Sequence, residues 1–173
     1  MPLMDVHSDV VDRFRRLSAS GRLGHAYLFT GPHGAGKMQT ALAVAQLVNC
    51  EDVSGGAPCG VCASCRKIAS GNHPDIHILA LLEDENAIKI EQAQQMIQRT
   101  AFKAYEARVK VFIVRDADVL TRDAANSLLK TLEEPAPNTL MLLTTAVPEA
   151  CLDTIKSRCH VIPFFSPPLN RVA

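Results

Sequence analysis

Regular patterning begins at residue 8. Val10, Val11, Phe14 and Leu17 recur at the spacing of one helix face as far as Ser20, and Gly21 and Gly24 break the pattern. The short apolar run at 26–29 is bounded by a Gly-rich stretch, Gly31-Pro32-His33-Gly34-Ala35-Gly36-Lys37. After it, Ala41, Leu42, Ala45 and Val48 mark a second helix, so the order is strand, loop, helix. From Cys50 to Cys65 the composition turns to Gly, Pro, Ser and Cys, with too few large apolar side chains to close a core. Residues 76–79 alternate as a strand does, and Ala93, Met96 and Ile97 belong to a helix over about 91–100. The nearly continuous apolar run at 109–114 suits a strand covered on both faces. Ala124, Ala125, Leu128, Leu129 and Leu132 share one helical face, and Pro135 and Pro137 prevent its continuation. A last apolar run at 140–143 precedes Thr144 and Thr145. Strands alternating with helices predict an α/β domain with a parallel sheet, whose ligands sit beyond the carboxyl ends of the strands.

At 173 residues and 47% hydrophobic content the chain can bury one large core, or one core plus a small module. Eighteen basic and eighteen acidic residues cancel, which leaves no strong field for binding DNA unaided; a nucleic-acid contact would be shared with other subunits. With no tryptophan and two tyrosines, a stacking platform for single-stranded bases is not expected. The start lacks a basic stretch followed by a long apolar one, and no run approaches the roughly 18 apolar residues of a membrane span. A cytoplasmic protein without membrane contact is expected, and its six cysteines are therefore read as thiols suited to holding metal rather than forming disulfides.

The stretch from Gly31 to Lys37 matches the phosphate-loop pattern G-x-x-x-x-G-K, between a strand and a helix as the mechanism requires. Gly31, Gly34 and Gly36 let backbone N–H groups close around phosphate oxygens, and Lys37 reaches the terminal phosphates. Two magnesium determinants are missing. Met38 stands where a Ser or Thr hydroxyl would ligate the metal, and a thioether does not suit a hard cation. At the end of the 109–114 strand the metal-facing carboxylate is replaced by Arg115, which could instead meet phosphate directly. Neutralising β/γ-phosphate charge is most of what such a site does, so weak binding of ATP or ADP and negligible hydrolysis are expected.

Cys50, Cys59, Cys62 and Cys65, spaced C-x8-C-x2-C-x2-C, supply the four soft ligands of a structural zinc with no open position. An iron–sulfur cluster suits the same ligands, and unligated core thiols are the bland alternative. His73 and His77 lie near enough in sequence to substitute for a ligand, whereas Cys151 and Cys159 are distant.

The loop, the cysteine spacing and the segments Gly24-His25-Ala26-Tyr27-Leu28-Phe29, His73-Pro74-Asp75, Asn126-Ser127-Leu128-Leu129-Lys130-Thr131-Leu132-Glu133-Glu134-Pro135 and Ser157-Arg158-Cys159 resemble the AAA+ clamp-loader subunits of bacterial DNA polymerase III, over almost the whole chain. The resemblance implies a P-loop AAA+ parallel sheet flanked by helices, with an inserted four-cysteine zinc module. It implies an AAA+ domain over 1–165, including the module at 50–65. Residues 166–173, with Ser166-Pro167-Pro168-Leu169, would begin a linker to a lid domain. In that family the Ser-Arg-Cys motif presents an arginine finger to ATP in a neighbouring subunit, and Arg158 is the matching residue.

The family divides into gamma or tau motor subunits and delta-prime subunits, whose own site is often degenerate. Loss of both magnesium determinants with the finger retained resembles the latter. The resemblance implies a stator-like replication subunit, partnered by gamma/tau and delta subunits and, through the complex, by the sliding clamp and primer-template DNA. An active motor of the same family, or a P-loop kinase with a zinc lid, are the alternatives. Thr144 and Thr145 fall in the family's sensor-1 region, though threonines ending a strand are also favoured by propensity alone. Lys130, Glu133 and Glu134 read most simply as a solvated helix face, with an intersubunit or DNA-facing role as the other choice.

Overall fold

The computed structural model describes residues 7–165. The expected linker at 166–173 therefore lies outside the described residues. Strands β1 (Ala26–Thr30), β2 (Ile76–Leu79), β3 (Lys110–Val114), β4 (Thr139–Thr145) and β5 (His160–Pro163) form one sheet in the order β2-β3-β4-β1-β5, every pair parallel. The helices are α1 (Ser8–Ala19), α2 (Lys37–Asn49), α3 (Ala63–Ser70), α4 (Ile90–Thr100), α5 (Arg122–Glu133) and α6 (Asp153–Lys156).

Two cores lie on the two faces of this sheet. Alternate residues of the inner strands, Tyr27, Phe29, Val111, Ile113, Leu140 and Leu142, pack with Phe14 of α1 and Val44, Leu47 and Val48 of α2. Their neighbours in sequence, Leu28, Phe112, Val114, Met141 and Leu143, pack with Ala93 and Met96 of α4 and Leu128 and Leu132 of α5. Each buried Val, Leu, Ile, Phe or Met among them contributes about 1.5–3 kcal/mol by leaving water. The run of five buried residues in β3 is thus the signature of a strand sandwiched between helices.

Two of the resemblance motifs serve the fold. His25 Nε2 donates to the Leu132 carbonyl at 2.7 Å and holds the end of α5 against the start of β1. Asp75, buried just before β2, accepts the backbone N–H groups of Tyr105, Glu106 and Ala107, each at 2.8 Å, and so clamps the loop that leads into β3.

Three elements go beyond the sequence pattern. Helix α3 starts inside the cysteine-rich stretch, capped by the Cys62 side chain, which accepts from Cys65 N–H; the expected Gly/Pro/Ser loop is therefore closed by a helix. Helix α6 and edge strand β5 have four residues each, and in β5 only Ile162 is buried, so neither shows a period of its own.

Candidate functional site

The phosphate-type loop leaves the carboxyl end of β1, where the sheet topology puts it. Gly36 is the N-cap of α2 in the left-handed region at φ +85°, and Gly34 lies at the exposed crest of the loop. Gly31 N–H donates to the Thr145 carbonyl at 3.2 Å, and a Cβ at Gly31 would fall 2.4 Å from the Phe164 carbonyl oxygen. Only glycine allows the chain following β5 to lie this close. Lys37 turns back into its own loop: its Nζ donates to the Gly31 carbonyl at 2.5 Å and the Pro32 carbonyl at 2.9 Å. Burial lowers the pKa of this ammonium, against an opposing pull from Asp116 and Asp118.

Met38 is half-buried and packs against the α1–α2 core, so the position after the lysine offers a thioether in place of a hydroxyl. Arg115 follows β3 with an exposed side chain that makes no hydrogen bond or ion pair among the described residues; its backbone N–H reaches the Leu79 carbonyl at 2.8 Å. The carboxylates that do act on Lys37 are those of Asp116 and Asp118, whose D-x-D spacing at the strand end was the available signal. Asp116 has a left-handed backbone and donates its N–H to Thr144 Oγ1 at 3.1 Å, and Asp118 Oδ1 accepts from Thr145 Oγ1 at 2.6 Å. Both threonine hydroxyls thus brace the β3–β4 strand ends.

The four cysteines converge. The sulfurs of Cys50, Cys59, Cys62 and Cys65 all lie within 4.8 Å of one another. Backbone N–H groups point at them: Asp52 and Cys59 at Cys50 (3.4 and 3.2 Å), Val61 and Cys62 at Cys59 (3.4 and 3.2 Å), and Cys65 at Cys62 (3.4 Å). Such donors favour thiolate. Burial pushes the Cys62 thiol up, but N–H groups of Glu51 and Cys65 and the neighbouring thiols bring it down to about 6. Burial drives Cys65 the other way, as four bare sulfurs cannot all ionise without a cation between them. Four soft donors of this kind fit a tetrahedral metal ion. The module is tied down by Gln46, which donates to the Cys65 carbonyl at 3.0 Å, and by Arg108, which donates to the Cys50 carbonyl.

Neither histidine joins the cluster. His73 Nδ1 accepts the Asp75 N–H at 3.1 Å, and His77 stacks on Phe112 with centroids 5.0 Å apart. Cys151 and Cys159 belong to the α4–α5 core, where burial pushes the Cys159 thiol up to about 12.

Arg158 occupies the turn between α6 and β5. Its Nε donates to Glu133 Oε1 at 2.5 Å and its Nη1 to the Thr154 carbonyl at 2.8 Å. Lys130 and Glu134 are exposed as a solvated face requires, whereas Glu133 is engaged with Arg158. Strand register separates this arginine from the loop: His160 pairs with Tyr27 at the start of the parallel β1–β5 ladder, while Gly31 and Phe164 meet at its end. Arg158 lies in the turn before the strand, and the four steps of extended chain from His160 to Phe164, at about 3.3 Å per residue, amount to about 13 Å.

Among the described residues no helix is long and apolar enough to cross a membrane. Residues 6–168 match the model of the family described as DNA polymerase III, delta subunit. The chain is 45% identical over 144 residues to DNA polymerase III subunit delta' of Bacillus subtilis (strain 168), covering 83% of this chain and 43% of that protein. It is 37% identical over 139 residues to DNA polymerase III subunit tau of Escherichia coli (strain K12), covering 80% and 21%. The crystal structure of a DNA polymerase III, gamma subunit-related protein from Thermotoga maritima shares the fold, with a TM-score of 0.66 at 21% identity over 95% of this chain and 48% of that one. The chain spans less than half the length of each of these proteins. With a match that runs from the first described helix past the last strand, the chain belongs to the DNA polymerase III delta subunit family, with delta' clamp-loader subunits among its relatives.

Proposed function

We propose that this chain is the AAA+ module of a delta'-type clamp-loader subunit that does not hydrolyse ATP itself and lends Arg158 to the ATP site of a neighbouring subunit during DNA replication. The observation that carries this reading is the placement of Arg158 in the turn that enters β5, at the opposite end of the β1–β5 ladder from the chain's own loop. An arginine there cannot serve Gly31, Gly34, Gly36 and Lys37 of the same chain, but it can face a nucleotide across an interface. A guanidinium so delivered stabilises charge on the transferred phosphoryl oxygens.

Loss of the oxygen ligand at Met38 and of the carboxylate at Arg115 supports an inert loop, because both groups that would hold magnesium are replaced. Lys37, occupied by two carbonyls of its own loop, supports at most weak contact with ATP or ADP. Identity to gamma/tau subunits alone would equally suit a motor; Met38 and Arg115 tell against one. In the cysteine cluster we assign zinc to Cys50, Cys59, Cys62 and Cys65, a closed four-thiolate shell whose role is structural. Gamma/tau and delta subunits are the proposed partners, with the sliding clamp and primer-template DNA met through the complex in the cytoplasm.

The test is reconstitution of the full-length protein with the motor subunits, followed by DNA- and clamp-stimulated ATP hydrolysis. The site served by Arg158 should lose about 10³-fold or more of its turnover in Arg158→Ala, read as a fall in the stimulated rate, while Lys37→Ala leaves that rate intact. The reverse pattern overturns the proposal.

A further inference from the structure

The contacts of Arg158 assign a role to Glu133 that rests on the finger reading above. The guanidinium has five N–H donors. Nε and Nη2 meet Glu133 Oε1, and Nη1 meets the Thr154 carbonyl at 2.8 Å and Ser157 Oγ at 3.3 Å. These four contacts leave one Nη2 N–H without a partner among the described residues. Beneath the side chain, the Arg158 N–H donates to the Ile155 carbonyl at 3.0 Å, and Ile155 is 1% exposed in the core that α6 shares with α5. Glu133 closes the last turn of that same α5, whose end His25 pins to β1.

The arginine is thus held from two sides by elements fixed to one core. Its side chain is 30% exposed and that of Glu133 48%, so the pair adds little to fold stability. What it restricts is the large rotamer freedom of a long side chain, and a group acting on a transition state gains most from being already in place.

We propose that Glu133 is a positioning residue for Arg158. It holds the Nε edge of the guanidinium and leaves the remaining Nη2 N–H and the charge presented to a nucleoside triphosphate bound by an adjoining subunit.

The experiment uses the full-length subunit reconstituted with motor subunits, sliding clamp and primed DNA, with stimulated ATP hydrolysis as the readout for Glu133→Ala, Glu133→Gln, Arg158→Ala and the double alanine variant. Glu133→Ala is expected to lower kcat about tenfold with KM for ATP within about twofold, because orientation rather than affinity is lost. Glu133→Gln keeps an oxygen acceptor for Nε and should recover most of the rate. The double variant should be no slower than Arg158→Ala alone. If Arg158→Ala is slow while Glu133→Ala runs at the wild-type rate or faster, positioning is overturned and the finger stands. A double variant slower than Arg158→Ala, or a Gln variant as slow as Ala, overturns it as well, since Glu133 would then act apart from Arg158. Wild-type turnover in Arg158→Ala removes the finger reading itself.

Discussion

Replacing Asp75 with Ala removes the single acceptor for three backbone N–H groups, those of Tyr105, Glu106 and Ala107, each 2.8 Å from a carboxylate oxygen. Hydrogen bonds to a charged group contribute about 1.5–3 kcal/mol each when isolated. Here three share one charge, and Tyr105 is 83% exposed, so water can replace part of the loss. About 1 kcal/mol per bond gives a total of about 3 kcal/mol. With a urea m-value of about 2 kcal/mol/M, the midpoint falls by about 1.5 M. The titration of Asp75 supplies a second arm. Burial pushes its carboxyl up, yet the three N–H donors and His73 outweigh burial and hold it below the usual carboxylate range. The folded pKa is thus lower than the unfolded one, so the stabilisation is complete above the unfolded value of about 3.9 and disappears as pH falls through the folded value. Urea titrations of both proteins at pH 7 should differ by the full amount, and the gap should close in strong acid. A midpoint shift at pH 7 below about 0.5 M would refute the claim that this carboxylate holds the loop.

Metal analysis should find one zinc per chain, lost in Cys62→Ser, and a strong chelator should unfold the 50–65 segment as seen by hydrogen exchange. Gly31→Ala should lower the melting temperature by several degrees, because its Cβ would fall 2.4 Å from the Phe164 carbonyl oxygen and its φ of +146° disfavours a side chain. His73, whose Nδ1 accepts the Asp75 N–H and whose pKa burial lowers, should show an NMR titration midpoint below 6.5; since the folded pKa is the lower one, stability is lost as pH falls from 6.5 toward that midpoint.

The alternation of strand and helix, and the loop between β1 and α2, were legible because each depends on residues within one turn or one strand of one another. The cysteine cluster was legible for the same reason: its ligands span 16 residues and two knuckles. What eluded the pattern acts across distance. Asp75 serves residues 30 to 32 positions ahead, and Glu133 meets Arg158 across 25. Neither His73-Pro74-Asp75 nor the Glu133-Glu134 pair shows in sequence what it bonds to. Strand β5 was missed because it is a four-residue edge strand with three residues exposed, so it shows neither alternation nor a buried run. The carboxylates that act on Lys37 were visible as Asp116 and Asp118, but the left-handed backbone of Asp116 that follows β3 was not.

The parallel ladder of β1 and β5 gives the module two unlike poles, a nucleotide-type loop at one and an arginine at the other. Contacts that join such poles are heterologous, so copies or relatives line up nose to tail and the row has a direction. On the proposed function this member has a working arginine pole and a silent loop pole. A neighbour gains a complete site from it, while a neighbour's arginine offered to its loop gains nothing. Such a chain is suited to stand at one terminus of the row, where it sets the order of the other members.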